Sequence, residues 1–386
     1  MKNIIKNYRN DLFIVYLAFF LIACGSERKP VQPVPEIDFS VDAVKTGTLK
    51  IPLDSVTSNN VTAFQTLSKN GANYFTFLNY FNNSIYYYNL ETQAYDSIQQ
   101  FPEEGPNGLG KFESTTRYEF LGDSIMFYSR GTLQLNIVNK KKDVVFKYNF
   151  GKEGKIAPYG MMSGWIFRTD IGFNFSAVAR TPYVVMNDLP DSLEFGFSLE
   201  TKEVENKYNP LPVAYQNEIW MLEQLRYNRA ENKKLRVYSY PIDPYIHIRQ
   251  QDGSFSSKYF GSKIVKPVVP IASIKIAQDL QTAGQYYFGQ GRYEYIYYDP
   301  FRKVFLRSAY SGMYEDLVDI NNRYGDTTSF DKVFIIGDDE LSIKGELKND
   351  RMREHVVFFQ ENGIHILVET NDEDLLTFDI YDIVEK

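Results

Sequence analysis

The chain is 386 residues long and carries 42 Lys and Arg against 49 Asp and Glu, a net charge of −7 at neutral pH. That acidic balance argues against nucleic acid or an anionic lipid surface as a partner, and a single cysteine excludes a disulfide framework and a thiolate metal cluster. Aromatic residues form 16% of the sequence, with 30 Tyr and 29 Phe, a composition suited to packed sheets in an all-β protein.

The first element is a leader. Lys2, Lys6 and Arg9 precede an unbroken apolar run from Leu12 to Ala23, and the sole cysteine, Cys24, follows at once. A basic start, an apolar run well short of the roughly 20 residues that span a bilayer, and a small residue before the cut are the marks of a signal peptide. Leu21-Ile22-Ala23-Cys24 resembles the bacterial lipobox, in which the cysteine sulfur receives a diacylglyceryl group and becomes the new N-terminus. Two or more acyl chains, at about 0.8 kcal/mol per buried methylene, hold a protein stably on a membrane. Residues 1–23 are therefore expected to be removed and Cys24 lipidated, which leaves no thiol for catalysis. Residues 24–40 follow with Pro30, Pro33 and Pro35, a density that favours an extended tether of about 3.1 Å per residue. The membrane becomes a partner through the lipid, with outer-membrane attachment facing either the periplasm or the cell surface.

From Thr46 onward the sequence is a succession of short strands, read as one domain over 41–386. Thr46–Leu53 alternates with Leu49, Ile51 and Leu53 on one face. Tyr74–Leu78 and Ile85–Asn89 flank Asn82-Asn83, Leu133–Val138 and Val144–Tyr148 flank Asn139–Lys142, and Tyr183–Met186 and Leu193–Leu199 lead to Glu200-Thr201-Lys202 and Val204–Tyr208. Leu235–Tyr240, Tyr245–Gln250 and Phe255–Phe260 turn at Asp252-Gly253, and Tyr293–Tyr298 turns at Asp299-Pro300 into Val304–Arg307. Val333–Ile336, Leu341–Glu346, His355–Gln360, Ile364–Glu369 and Leu375–Ile383 complete the series. Val213–Arg226 reads as a helix of three or four turns, and Ile274–Gly284 as a further helical turn. Most turn-to-turn intervals are about 40–60 residues, the period of four-stranded propeller blades. The expected fold is a β-propeller of six or seven blades with short helical insertions, closed by Thr46–Leu53 entering the last blade.

Phe101–Phe112 is the most distinctive motif of the body, with Gly105, Gly108 and Gly110 beside Pro102 and Pro106. It resembles the Gly-Pro-Gly-x-Phe signature of six-bladed propeller lipoproteins of the Bacteroidetes type. With the lipobox, the aromatic strands and Tyr297-Tyr298-Asp299-Pro300, the chain resembles a lipoprotein family known as a domain of unknown function. The resemblance implies a propeller and an outer-membrane lipoprotein; it supplies no substrate and no catalytic residues. Glu103, Glu104, Gly105, Pro106, Asn107 and Gly108 form a candidate ligand loop, with a strained interblade turn as the competing reading.

No cofactor is expected and no metal site is read, because His247, His355 and His365 lack metal-ligand spacing and no nucleophile elbow, P-loop or dinucleotide fingerprint occurs. Asp followed by Ser or Thr recurs at Ser55, Ser97, Ser124, Ser192 and Thr327. This resembles the O-glycosylation acceptor motif of exported proteins of the same bacterial group, although Asp-Ser is also common where a turn feeds a strand. The expected function is a membrane-anchored binding or scaffold propeller for a protein or glycan partner. The alternative is a carbohydrate-active or other hydrolytic propeller with carboxylates in its central channel.

Overall fold

The computed structural model describes residues 35–152, 166–168, 172–176, 183–185, 193–207, 211–216, 218–271, 275, 278–312 and 331–386. Among these, β1 (Val41–Pro52) opens the chain, and blade 1 follows as β2 (Phe64–Lys69), β3 (Ala72–Asn79), β4 (Ser84–Asn89) and β5 (Ala94–Gln100). Blade 2 holds β6 (Thr116–Leu121), β7 (Ser124–Ser129), β8 (Gln134–Val138) and β9 (Val144–Asn149). Blade 3 holds β10 (Ile166–Arg168), β11 (Gly172–Ser176), β13 (Glu194–Ser198) and β14 (Val204–Lys207), with β12 (Tyr183–Val185) diverted to pair with β15 (Ile219–Met221). Blade 4 is β16 (Asn228–Glu231), β17 (Leu235–Ser239), β18 (Tyr245–Gln250) and β19 (Phe255–Tyr259). Helix α1 (Leu280–Gly289) precedes blade 5, which is β20 (Arg292–Asp299), β21 (Val304–Tyr310), β22 (Lys332–Asp338) and β23 (Ile343–Lys348). Blade 6 is β24 (Met352–Gln360), β25 (Gly363–Val368) and β26 (Leu375–Glu385), and its fourth strand is β1.

The six four-stranded sheets form a six-bladed propeller. Each blade is antiparallel and its first strand is innermost, so the upper face is defined here as the one on which the first strands begin. Neighbouring inner strands meet: β16 contacts β20 and β20 contacts β24, and Gln65 Nε2 on β2 donates to Tyr118 O and Glu119 Oε2 on β6 at 2.6 and 2.7 Å. Six apolar clusters occupy the six interfaces between successive blades, including the one between blade 6 and blade 1. This is why the middle strands are apolar on both faces. In β4, Ile85, Tyr86 and Tyr88 are all essentially inaccessible because alternate side chains face different neighbouring blades. The outer strand β5 is exposed at six of its seven positions and reads as solvent-facing.

Closure of the ring agrees with the sequence. β1 runs antiparallel to β26 in register from Val41 opposite Glu385 to Pro52 opposite Leu375, with a bulge between Lys45 and Gly47. Leu49 and Ile51 are buried in the cluster between blades 6 and 1. Six blades replace the range of six or seven because the turns near 300 and 362 join the first and second strands of blades 5 and 6, whereas the other five turns join third and fourth strands. The expected helix over Val213–Arg226 is corrected. The segment forms 3-10 turns at Val213–Tyr215 and Leu222–Leu225 around β15, whose Trp220 is buried against Tyr215. Pairing with β12 competes with helix formation there, and it also draws Tyr183–Val185 out of the blade that the sequence had suggested for it. The second helical expectation, within Ile274–Gly284, is met by α1, which runs on to Gly289.

Candidate functional site

Ionisable side chains concentrate where β6, β20 and β24 begin, at the upper mouth of the channel. β20 and β24 each break register there, between Tyr293 and Ile296 and between Met352 and Val357. A bulge releases side chains from strict in-out alternation and re-aims them. The released residues include Glu294, Tyr295, Arg353, Glu354 and His355.

Arg292 Nε donates to Glu294 Oε1 at 2.5 Å, and its guanidinium lies over the rings of Tyr310 and Tyr287 at 4.4 and 5.1 Å. Asn228 of blade 4 donates to Glu294 O at 3.1 Å, and the Tyr297 hydroxyl donates to Glu354 O at 2.8 Å, tying blades 4, 5 and 6 together. Lys332 Nζ donates to Met352 O at 3.0 Å and stands 3.8 Å from Glu354 Oε2, which accepts no hydrogen bond from the described protein. Arg353 pairs with Glu369 at 3.4 Å, and the Tyr295 ring lies 6.4 Å from that of His355. Arg117 of blade 2 is buried. Its Nη1 donates to Ser114 O and Thr116 O at 2.8 and 2.7 Å, while its Nε has no acceptor.

Burial raises the Glu354 carboxyl to about 8, with the charge of Glu294 adding to the effect and Arg292 opposing it. Burial, then Arg353 and Lys332, push the His355 imidazole down to about 4, and Arg117 contributes in the same direction. Burial also lowers Arg117, to about 10, so it remains a cation at neutral pH. The mouth thus holds a neutral imidazole, a protonated carboxyl and a buried guanidinium with an unused N–H. Groups displaced this far from their ordinary values mark candidate functional sites.

The two shifts act on stability in opposite senses. The unfolded chain protonates His355 below about 6.5 while the folded protein resists until about 4, so this contribution falls away as pH drops. Folded Glu354 keeps its proton to about 8 while the unfolded chain releases it above 4.5, so that contribution is lost as pH rises through 8. Above pH 6.5 only Glu354 acts. Its side chain remains 13% accessible, which lets water relieve part of the penalty. Stability is therefore expected to fall by about 1–2 kcal/mol between pH 6.5 and 8. Denaturant titrations across that range should show the fall in the wild type and its loss in Glu354→Gln; an identical slope in the variant would remove Glu354 as its source.

The Phe101–Phe112 loop is an interblade wedge. Phe101, Leu109 and Phe112 enter the apolar cluster between blades 1 and 2. Leu109 N donates to Pro102 O and Gly110 N to Glu103 O, while Asn107 Oδ1 accepts from Val144 N and its Nδ2 donates to Asp143 Oδ1. Gly105 has φ +89°, and a Cβ on Gly108 would lie 2.6 Å from Glu104 C, so backbone geometry accounts for both glycines. Glu103 and Glu104 are exposed. Ser55 and Ser97 are exposed, Ser124 is half-buried at the start of β7, and Ser192, Thr327 and Cys24 lie outside the described residues. His365 is buried, stacked on Phe358 at 4.5 Å with Nδ1 3.1 Å from Gly363 O, and His247 Nε2 lies 2.8 Å from Asp243 Oδ2. Among the described residues, no group of three His, Asp or Glu side chains is placed to hold a metal ion, and no helix is long and apolar enough to cross a membrane. Sequence reasoning missed Arg117, Arg292, Glu294, Lys332 and Glu354; the dense charge in Arg351-Met352-Arg353-Glu354-His355 was the one signal available.

Among curated proteins, none matches this sequence. The chain is similar to the crystal structure of a DUF4221-family member from Bacteroides vulgatus, with a TM-score of 0.77 at 19% identity over 90% of this chain and 99% of that one. It is also similar to a protein of Bacteroides fragilis described as exported, with a TM-score of 0.52 at 11% identity over 90% of this chain and 95% of the other. Residues 38–167 match the domain of unknown function DUF4221, and the propeller that contains them has the fold of that family's crystallised member from Bacteroides vulgatus.

Proposed function

We propose that the protein is exported, lipidated at Cys24 and held at the outer membrane by its proline-rich tether. Its propeller is then a binding module for a protein or glycan partner, engaged at the upper mouth. The observation that carries the binding role is the pair of unsatisfied buried groups there, Arg117 Nε and Glu354 Oε2. A buried polar atom without a partner costs about 1–3 kcal/mol, a cost that a polar ligand group relieves. Hydrolysis is not favoured, since Glu294, the carboxylate acting on Glu354, is already bound to Arg292. The description of the Bacteroides fragilis relative as exported supports the compartment.

The anchor is tested by fractionating cells that express the wild type or Cys24→Ala after feeding an alkynyl fatty acid. The wild type is expected in the membrane fraction and labelled, and the variant unlabelled and released. Label on the variant, or none on the wild type, would sink the lipid reading. The binding role is tested by cross-linking in native membranes: partners recovered with the wild type should be lost with Arg117→Ala if that variant keeps its unfolding temperature.

A further inference from the structure

A second site lies at the lower face, where the first and last blades meet. A cleft of about 970 Å³ opens there between β2 and β24, rimmed by the turn after β4 and by the Pro300-Phe301 and Glu361-Asn362 turns. The volume is within the range of clefts that enclose small molecules. No lysine or arginine is among its described lining residues. Phe301 is 49% exposed on its rim.

The polar lining is unusual in what remains unused. Both carboxylate oxygens of Glu91 are taken by Asn73, at 3.0 and 3.2 Å from its backbone N. By contrast the side chains of Gln93, Gln360, Glu361 and Asn362 make no hydrogen bond within the described protein. Three free amides present both donors and acceptors, and Glu361 adds acceptors. Arg302 donates to Gln360 O and Glu361 O but is already paired with Asp299 and Asp382, so an anionic ligand would meet the Glu91 and Glu361 carboxylates with no free cation to balance them. A cationic amine offers donors alone and leaves the amide N–H groups without acceptors. An apolar segment would desolvate the amides without pairing them. Neutral sugar hydroxyls each donate and accept, and the C–H face of a pyranose ring packs on an exposed aromatic ring. We infer that this seam cleft is a binding site for a neutral saccharide, with Phe301 as the stacking platform and Gln93, Gln360 and Asn362 as the hydroxyl partners.

The inference is independent of the lipid anchor and of the upper mouth. It is tested with the full-length protein in detergent on an array of neutral and acidic oligosaccharides, followed by calorimetric titration of the best neutral hit and of spermidine. Saturable binding of a neutral oligosaccharide is expected, weakened at least tenfold by Phe301→Ala and by Gln93→Ala. Both substitutions are at exposed positions, and their unfolding temperatures should match the wild type. Phe81→Ala, an exposed aromatic of the opposite face, should leave binding unchanged. Failure of every neutral sugar to bind would overturn the assignment. So would binding indifferent to Phe301→Ala, or spermidine binding in place of sugar.

Discussion

Replacing Arg307 by methionine is expected to destabilise the propeller by about 3–5 kcal/mol, the cost of leaving buried polar groups without their charged donor. Arg307 sits on β21 in blade 5, is completely inaccessible, and uses all five of its N–H donors on blade 4 and the loops that leave it. Nε donates to Ser239 Oγ at 2.8 Å, Nη1 to Pro244 O and Phe260 O at 3.2 and 2.9 Å, and Nη2 to Tyr240 O and Asp243 O at 3.1 and 2.7 Å. Its guanidinium also lies 3.9 Å from the centre of the Tyr293 ring. Methionine keeps much of the stem's volume but takes the charged donors from four carbonyls; Pro244 O and Tyr240 O still accept from the backbone N–H groups of Phe260 and Asp243, whereas Phe260 O and Asp243 O lose the partners described here. For a body of this size, 3–5 kcal/mol corresponds to about 4–7 °C in unfolding temperature. Lysine retains the charge yet has three donors at a single point, so Arg307→Lys should recover only part of the loss. Chemical denaturation measures both variants; a loss below 1 kcal/mol in Arg307→Met would show that the loops rearrange to pair their own carbonyls.

Removal of residues 37–52 is expected to abolish a cooperatively folded monomer. The deletion strips β1 from β26, opens an eleven-residue edge in the last blade and exposes the cluster that buries Leu49 and Ile51. An unpaired edge of that length is a template for association between chains. The point variants Leu49→Ala and Ile51→Ala isolate the packing part, at about 2–5 kcal/mol each. Lys386 N donates to Ser40 O at 3.0 Å, so the end of the chain lies beside the start of β1. A circular permutant that joins Lys386 to Ser40, with new termini at the exposed Asn60, should therefore restore a monomer with native unfolding temperature. Size-exclusion chromatography with thermal unfolding decides the matter. A monomeric, cooperative deletion variant would mean that blade 6 is stable with three strands.

Much of the propeller was legible because its middle strands are buried on both faces. Runs such as Ser84–Asn89 and Lys332–Asp338 pack neighbouring blades with either set of alternate side chains, so they stand out as apolar, aromatic segments between Asn- and Asp-rich turns. Inner strands were harder to read. β2 and β6, Phe-Gln-Thr-Leu-Ser-Lys and Thr-Arg-Tyr-Glu-Phe-Leu, carry polar side chains because one of their faces borders the channel, and neither was anticipated. β10 and β11 were missed as well, although Gly172-Phe-Asn-Phe-Ser176 alternates as a strand should.

The sequence by itself determined the class of fold and the closure by the N-terminal strand, since each depends on periodicity or spacing within a short segment. Tertiary structure decided the rest. Arg117, Arg292, Lys332 and Glu354 are separated by more than half the chain at the extremes, and only closure of the ring brings the inner strands that hold them to one mouth. There burial, rather than any motif, displaces Glu354 and His355 from their ordinary protonation. The same logic gives the glycine-rich Phe101–Phe112 segment its place in the fold, as a wedge between blades. Its three apolar side chains find a core only where blade 2 stands against blade 1.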